Sequence, residues 1–214
     1  MPLLSNAAEL LNTIAIAISA FAATNIDDIL VLTVLFAQVS SQFRPHHILT
    51  GQYLGFTAII LASLPGFLGG QVIPARWVAL LGLLPIALGI RALFKNNEDD
   101  EIQTVSETGT ASRSPLLRWV TRWIAPQTLQ VAAITVANGG DNIGIYLPLF
   151  ANLNSAKFLV TLVVFFSLVS VWYGIAAWLA AHPKIAPILT RFGDRLVPLV
   201  LISLGIFILV EGWH

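Results

Sequence analysis

Three aspartates stand inside stretches of sequence that are otherwise apolar. Asp27 and Asp28 lie in the segment ATNIDDILVLTVLFA, and Asp141 lies in the segment ANGGDNIGIYLPLFA. An aspartate at the centre of a membrane-spanning helix costs about 2.5–3.5 kcal/mol, so such side chains are expected to face the protein interior. Neither segment contains a Lys or Arg that would neutralise them. Protonation or a bound cation is therefore the expected compensating charge.

Amide side chains accompany these aspartates at helical spacing. With a turn of ~100° per residue, the polar residues of each segment share one face of a helix, so both segments can present oxygens to one centre. Carboxylate and carbonyl oxygens suit hard divalent cations. The sequence therefore predicts one metal site shared by the two segments. Its predicted ligands are Asp27, Asp28, Asp141, Asn25, Asn138 and Asn142.

Gly139 and Gly140 interrupt the second segment in the middle of its apolar run. Two adjacent glycines weaken a helix, and an unwound helix offers backbone carbonyls to an ion. The structural alternative is that the glycines only permit close packing of neighbouring helices. We expect both glycines, together with Thr24 and Thr135, to line the path of the ion.

The two segments are related as an internal repeat. At a shift of 114 positions Asp27 aligns with Asp141, and five apolar positions around them are also identical. Two further apolar runs follow each segment, so each half of the chain has three spans. Because three is an odd number, the second half is inverted relative to the first. In many transporters such inverted repeats place the ion site near the membrane midplane, between the halves.

The composition is that of a membrane protein. Of 214 residues, 57% are hydrophobic and only 10% are charged, whereas soluble domains have roughly 25% charged residues. The formal net charge is zero, which argues against a nucleic-acid-binding surface. The chain has no cysteine, so it has neither a disulfide nor a thiolate ligand for a metal.

The apolar runs predict an all-α integral membrane protein with six transmembrane helices, arranged as two inverted-topology three-helix repeats. The predicted helices are Leu10–Val39, His47–Gly69, Ala75–Phe94, Gln127–Leu153, Ala156–Ala181 and Phe192–Gly212. Residues 1–94 form the first repeat, residues 95–122 a polar cytoplasmic linker, and residues 123–214 the second repeat. We expect the acidic stretch 96–112 to be a solvated loop, with a regulatory metal-binding role as the alternative.

Lys and Arg are distributed unequally between the two sides of the predicted bundle. The loops after the first, third and fifth spans hold nine basic residues, whereas the loops after the second and fourth hold two. Basic loops stay in the cytoplasm. We therefore expect a multi-pass protein of the plasma (inner) membrane with both termini outside the cytoplasm. No basic residue precedes the first apolar run, which favours a retained helix over a cleaved signal.

The two motifs resemble those of a known family of transporters. The segments TNIDDILVLTVLFA and ANGGDNIGIYLPLF are similar to the paired signature of the CadD-type cadmium resistance transporters, which belong to the LysE superfamily of small exporters. The resemblance extends over nearly the whole chain and implies efflux of Cd²⁺ or a similar divalent cation. The site residues that it implies are Asn25, Asp27, Asp28, Asn138, Asp141 and Asn142.

The ligand types leave the identity of the ion open. An all-oxygen site suits Mn²⁺ or Ca²⁺, whereas Cd²⁺ and Zn²⁺ favour softer ligands, and the only sulfur in the chain is that of Met1. A weak oxygen site for Cd²⁺ is nevertheless compatible with a transporter that must release its ion. The resemblance favours Cd²⁺, with Zn²⁺, Mn²⁺ and Ca²⁺ as alternatives. Since three carboxylates exceed the charge of a divalent ion, we also hypothesise that one of them exchanges a proton.

Three other functions are compatible with parts of the pattern. A LysE-like exporter of amino acids or organic cations would hold an ammonium group with the same aspartates. An intramembrane aspartyl protease needs two facing aspartates, but Asn138 stands where its Gly-x-Gly-Asp motif has the first glycine. A structural scaffold leaves the buried carboxylates unexplained. We therefore predict a transporter rather than an enzyme, without a cofactor. Its partners are a divalent cation and the bilayer, and a homodimer is compatible with so short a chain.

Overall fold

A computed structural model describes residues 2–72, 74–94, 124–182 and 186–211, and helix is the only regular secondary structure over them. The predicted linker, residues 95–122, lies outside this described part. The elements in chain order are α1 Pro2–Asn25, α2 Asp28–Ala37, α3 Pro45–Gly70, α4 Ala75–Ala79, a 3₁₀ turn Leu80–Gly82, α5 Leu83–Phe94, α6 Pro126–Asn138, α7 Ile143–Ala151, α8 Ser155–Ala180 and α9 Ala186–Glu211.

Three of these helices are long and apolar enough to cross a membrane. They are the stretch Ala7–Asn25 of α1, the helix α3 and the helix α8. Shorter apolar helices follow over Asp28–Ala37, Trp77–Leu88 and Pro198–Val210. The all-helical fold is therefore confirmed over the described residues, with three candidate membrane spans, whereas the six-span count and the inverted repeat stay predictions.

Two of the predicted helices are broken near their centres, the second of them at the glycine pair where unwinding was expected. The prediction of one helix over Leu10–Val39 is wrong, because the chain divides there into α1 and α2. At this point the Asp27 carboxylate accepts a hydrogen bond from the backbone N of Asp28 at 3.1 Å, and such a bond competes with the helical ladder. The predicted helix Gln127–Leu153 divides into α6 and α7 over residues 139–142, where the glycine pair lies.

The third predicted helix, Ala75–Phe94, is also interrupted. The 3₁₀ turn Leu80–Gly82 separates its short first part from α5. Pro85 explains the position of this turn, since a proline lacks the backbone N–H and its ring crowds the carbonyl four residues earlier, which here is that of Leu81 in the 3₁₀ turn.

Helix α3 packs along both α6 and α7 through a row of small residues. Its contact face carries Gly51, Gly55, Gly66 and Gly70. A Cβ atom on Gly51 would lie 2.5 Å from Cβ of Val131, and one on Gly66 would overlap the backbone of Leu147. Since α3 starts just after α2 ends, α6 lies at the level of α2, and α7 lies at the level of α1.

The remaining helices complete the bundle in two further pairings. Helix α8 packs on α1 and α2, and α9 packs on α5. The α5–α9 pair is tight because Gly82 and Gly205 meet, with a Cβ on Gly82 only 2.6 Å from the carbonyl oxygen of Gly205. This pair also packs on α1 and α7, whereas over the described residues it makes no comparable contact with α2 or α6.

Two apolar clusters enclose the helix breaks from above and below. The aromatic cluster, at the level of α1 and α7, consists of Phe21, Phe56, Tyr146, Phe150 and Phe165. The aliphatic cluster, at the level of α2 and α6, consists of Leu32, Leu35, Ile48, Val131 and Ala176. The polar residues of the two motifs therefore lie between these two clusters, and Asp27 and Asp141 among them are exposed.

Candidate functional site

The two polar segments break their helices at matching positions of the repeat. Ile26 and Asp27 separate α1 from α2, and residues 139–142 separate α6 from α7. The shift of 114 places Asp27 on Asp141, so each break contains its half's equivalent aspartate. Non-helical backbone at membrane depth is tolerated only inside protein or beside a cavity. Both breaks therefore lie where the polar side chains of the two motifs are concentrated.

A direct contact joins the two breaks. The side-chain amide of Asn138, the last residue of α6, donates a hydrogen bond to Oδ1 of Asp28 at 2.5 Å. Asp28 opens α2 and is only 6% exposed. When the carboxylate is ionised, this bond is charge-assisted and therefore stronger than a neutral one. The first and second motifs thus meet at a buried carboxylate.

Asn25 is the centre of a second set of contacts. It is buried, and its Nδ2 lies 2.7 Å from Thr24 Oγ1 and 2.8 Å from the Tyr146 hydroxyl. The Nδ2 of Asn142, also buried, lies 3.5 Å from Asn25 Oδ1. The backbone carbonyl of Asn25 accepts a hydrogen bond from Trp172 Nε1 at 2.6 Å. Predicted ligands from both motifs are again brought together.

Tyr146 and Trp172 are site residues that the sequence reasoning missed. The Tyr146 ring belongs to the aromatic cluster, is fully buried, and places its hydroxyl 2.7 Å from Thr24 Oγ1. The signal that was available is the tyrosine within the second motif, because a buried tyrosine hydroxyl needs a polar partner. Trp172 has no comparable signal in the sequence, since it lies in the predominantly apolar helix α8, outside both motifs.

Asp27 and Asp141 differ from Asp28 in their exposure. Both are exposed, while Asp28 is buried, and both lie close enough to Asp28 to act on it electrostatically. The repeat relates the exposed Asp27 to the exposed Asp141, and it relates the buried Asp28 to the buried Asn142. Equivalent positions of the two halves therefore have equivalent environments.

The four predicted path-lining residues lie in different environments. Thr24 belongs to the site through its contact with Tyr146, and Gly140 is exposed. Gly139 is buried, and a Cβ there would lie 2.6 Å from Ile59 Cδ1, so this glycine permits the close packing of α3. The Thr135 hydroxyl donates to the carbonyl of its own helix, at Val131 O.

The arrangement combines one buried carboxylate with several amides at two helix breaks. Within the described residues, no three His, Cys, Asp or Glu side chains converge as a ready-made metal site. What the two breaks bring together is two contacts between the motifs, Asp28 with Asn138 and Asn25 with Asn142. Amides offer a hydrogen-bond donor on one side and a carbonyl oxygen on the other. Such a set is able to bind a cation when the amides turn their oxygens toward it.

Comparison with known families agrees with this geometry. A family model described as cadmium resistance transporter matches residues 21–213, which include both motifs and both helix breaks. The chain belongs to the cadmium resistance transporter family. The resemblance seen in the motifs is therefore confirmed, and the family is one of transporters, in line with the prediction of a non-enzymatic membrane protein. Searches among curated proteins and among solved structures give no match.

Proposed function

We propose that this family member exports a divalent metal cation, Cd²⁺ before others, across the plasma membrane. The ion is bound at the junction of the two helix breaks. The observation that carries the proposal is the contact of Asn138 with the buried Asp28, which joins the two motifs at one carboxylate. Family membership supports the substrate class.

Asp28 supplies the charge of the proposed site, and the amides supply neutral oxygens. Asn138 contacts it directly, and Asn25 and Asn142 form a second inter-motif pair at the same two helix breaks. Asp27 and Asp141, exposed beside it, attract cations to the entrance. A site made only of oxygens binds the soft Cd²⁺ ion more weakly than thiolates would, which suits a protein that must release the ion on every cycle.

The packing of the helices supports an inverted repeat. The broken first span, α1 and α2, packs on α8, which is the second span of the other half. The broken fourth span, α6 and α7, packs on α3, which is the second span of the first half. Exchanging the first half of the chain with the second converts each of these two pairings into the other. This reciprocity is what two inverted halves around one midplane site require.

The position of the α5–α9 pair suggests how access alternates. The pair packs on α1 and α7 but lacks comparable packing on α2 and α6 over the described residues. The distribution of basic residues favours an orientation with α2 and α6 on the cytoplasmic side. The exposed Asp27 and Asp141 then face an entrance from the cytoplasm, while the aromatic cluster closes the outer side. Rocking of the pair toward α2 and α6 would close the entrance and loosen the outer barrier.

A transport assay tests this proposal. Everted membrane vesicles, whose interior corresponds to the outside of the cell, are given Cd²⁺, Zn²⁺, Mn²⁺ or Ca²⁺. Wild type is expected to take up Cd²⁺ in a saturable manner, and Asp28→Asn is expected to lose that uptake. Thr33→Val serves as the control, because the Thr33 hydroxyl bonds its own helix at Ile29 O. If no metal enters vesicles that contain wild type, the proposal is overturned, and amino acids and organic cations become the substrates to test.

A further inference from the structure

A tryptophan from the second half of the chain contacts the first helix break. The indole Nε1 of Trp172, on α8, donates a hydrogen bond to the backbone carbonyl of Asn25 at 2.6 Å. Asn25 is the last residue of α1 and takes part in the second contact between the motifs. We propose that Trp172 is a positioning residue of metal transport, which holds the first break open and keeps Asn25 in the geometry that binds the ion. The inference rests on the proposed export function.

The indole takes up the carbonyl that an unbroken helix would use. In an α-helix each carbonyl accepts a hydrogen bond from the backbone N–H four residues later, which for Asn25 is that of Ile29. The last carbonyls of a helix that ends have no such partner within it and need one from elsewhere. Trp172 supplies this partner from another helix, so its N–H favours the broken chain over a continuous one.

A different side chain holds the N–H side of the same break. The Asp27 carboxylate accepts a hydrogen bond from the backbone N of Asp28 at 3.1 Å. In an unbroken helix that N–H would donate to the carbonyl four residues earlier, which is that of Thr24. The contact of Asp27 is local, whereas that of Trp172 comes from α8. The shape of the first break therefore depends on the packing of the second half of the chain.

The ring of Trp172 is enclosed by apolar neighbours on several sides. It packs against the aromatic cluster, the aliphatic cluster and the buried pair Ile29 and Leu179. Its contact with Phe21 is edge-to-face, with the ring centroids 5.2 Å apart. A hydrogen bond formed in such low-dielectric surroundings is electrostatically stronger than one in water. One side chain thus connects the first break to both clusters that enclose it.

The position of the Asn25 backbone also decides where its side chain begins. The Asn25 Nδ2 lies 2.8 Å from the Tyr146 hydroxyl, and its Oδ1 lies 3.5 Å from Nδ2 of Asn142. If the break closed into a continuous helix, the backbone would rotate and these contacts with the second motif would change. Removing a group that orients a metal ligand usually weakens metal binding about 10–100-fold. We expect the lower end of this range, because Asp27 still holds the other side of the break.

Removal of the indole N–H tests this positioning role. Trp172→Phe keeps an aromatic ring between the clusters but removes the donor. Trp178→Phe is the matched control, since Trp178 lies on the same helix, is 52% exposed and stacks on His182. The dissociation constant for Cd²⁺ is measured on the purified proteins in detergent. Trp172→Phe is expected to raise this constant about ten-fold, and Trp178→Phe is expected to leave it unchanged.

A fluorine label gives a second readout that a purely structural role would not change. A single 5-fluorotryptophan in place of Trp172 keeps the N–H and leaves the rest of the sequence intact. Addition of Cd²⁺ should shift its ¹⁹F signal, and Asp28→Asn in the labelled protein should abolish that shift. The same label in place of Trp178 should not respond. This measurement keeps the test informative if Trp172→Phe fails to insert.

The results that overturn the positioning role differ from those that overturn metal export. If wild type binds Cd²⁺ but Trp172→Phe binds it equally tightly, or the ¹⁹F signal at position 172 does not respond, the positioning role is wrong and the export function stands. Equal losses of affinity in Trp172→Phe and Trp178→Phe lead to the same conclusion. If wild type neither binds nor transports Cd²⁺, both proposals fail together.

Discussion

The amide nitrogen of Asn138 lies 2.5 Å from Oδ1 of Asp28 and joins the end of α6 to the start of α2 across 110 positions of sequence. A metal bound to the same oxygen would compete with this amide. Asn138 therefore has two roles in the proposed site: it positions the carboxylate, and it must turn its carbonyl oxygen toward the ion when the ion arrives.

Asn138→Ala should weaken metal binding about 10–100-fold, which is the usual loss when a residue that orients a ligand is removed. Asp28→Asn should weaken it further, because the charge is lost as well. In the double variant the Asn138 change should add little, since its partner is already neutral. Equilibrium dissociation constants for Cd²⁺, measured on the four purified proteins in detergent, check this coupling. Strictly additive effects would show that the two residues act independently.

Tyr146→Phe should reduce transport while the protein still inserts. The variant keeps the ring of the aromatic cluster but removes the hydroxyl that contacts Thr24 and Asn25, and a lost intramolecular hydrogen bond costs about 0.5–1.5 kcal/mol. Tyr53→Phe is the matched control, because its hydroxyl bonds Ser170 at 2.6 Å, away from both helix breaks. Equal transport losses in the two variants, measured at equal expression, would argue against a special role for Tyr146.

Much of the fold followed from the sequence, because apolar length and two polar motifs are local signals. The break at Gly139 was expected for a local reason, namely glycine itself. The break at Asp27 was not, since it depends on a side chain that caps the following helix. Tyr146 was missed because its partners lie more than a hundred positions away. The sequence also predicted the same role for Asp27 and Asp28. The packing of neighbouring helices, however, buries Asp28 and leaves Asp27 exposed.

Asp27 and Asp141 should contribute equally to transport. They occupy equivalent positions of the repeat, both are exposed, and both act on Asp28 electrostatically. Asp27→Asn and Asp141→Asn are therefore expected to raise the half-saturating metal concentration by similar factors while uptake persists, whereas Asp28→Asn abolishes it. High ionic strength should reduce the difference from wild type, because exposed charges are screened. Loss of uptake in one variant and no effect in the other would contradict the prediction that the two aspartates contribute equally.

Gly66→Ala should destabilise the protein by about 1–3 kcal/mol or more, as overpacking usually does. An added Cβ would overlap the backbone at Leu147, in the helix that follows the second break. Gly174→Ala on α8 is the control, because nothing lies within 4 Å of its added Cβ, and alanine is the better helix former. Thermal unfolding in detergent measures both. A Gly66→Ala protein as stable as wild type would contradict the close packing of α3 on α7.

Proton coupling should be visible as a dependence on the pH gradient. If a carboxylate of the site releases a proton when it binds the metal and recovers one outside, an acidic interior of everted vesicles should accelerate Cd²⁺ uptake. Collapse of the gradient with a proton ionophore should slow uptake toward the rate without a gradient. Uptake that ignores an imposed pH gradient would remove protons from the mechanism while leaving metal export intact.

The most direct test of metal transport through the Asp28 site uses purified protein alone in liposomes that enclose a fluorescent Cd²⁺ indicator. We predict saturable Cd²⁺ entry for wild type and for Thr33→Val, and entry at the protein-free rate for Asp28→Asn, with all three proteins equally folded. Cd²⁺ entry through Asp28→Asn at the wild-type rate would contradict the proposed mechanism, because the buried carboxylate that joins the two motifs would then have no part in carrying the metal.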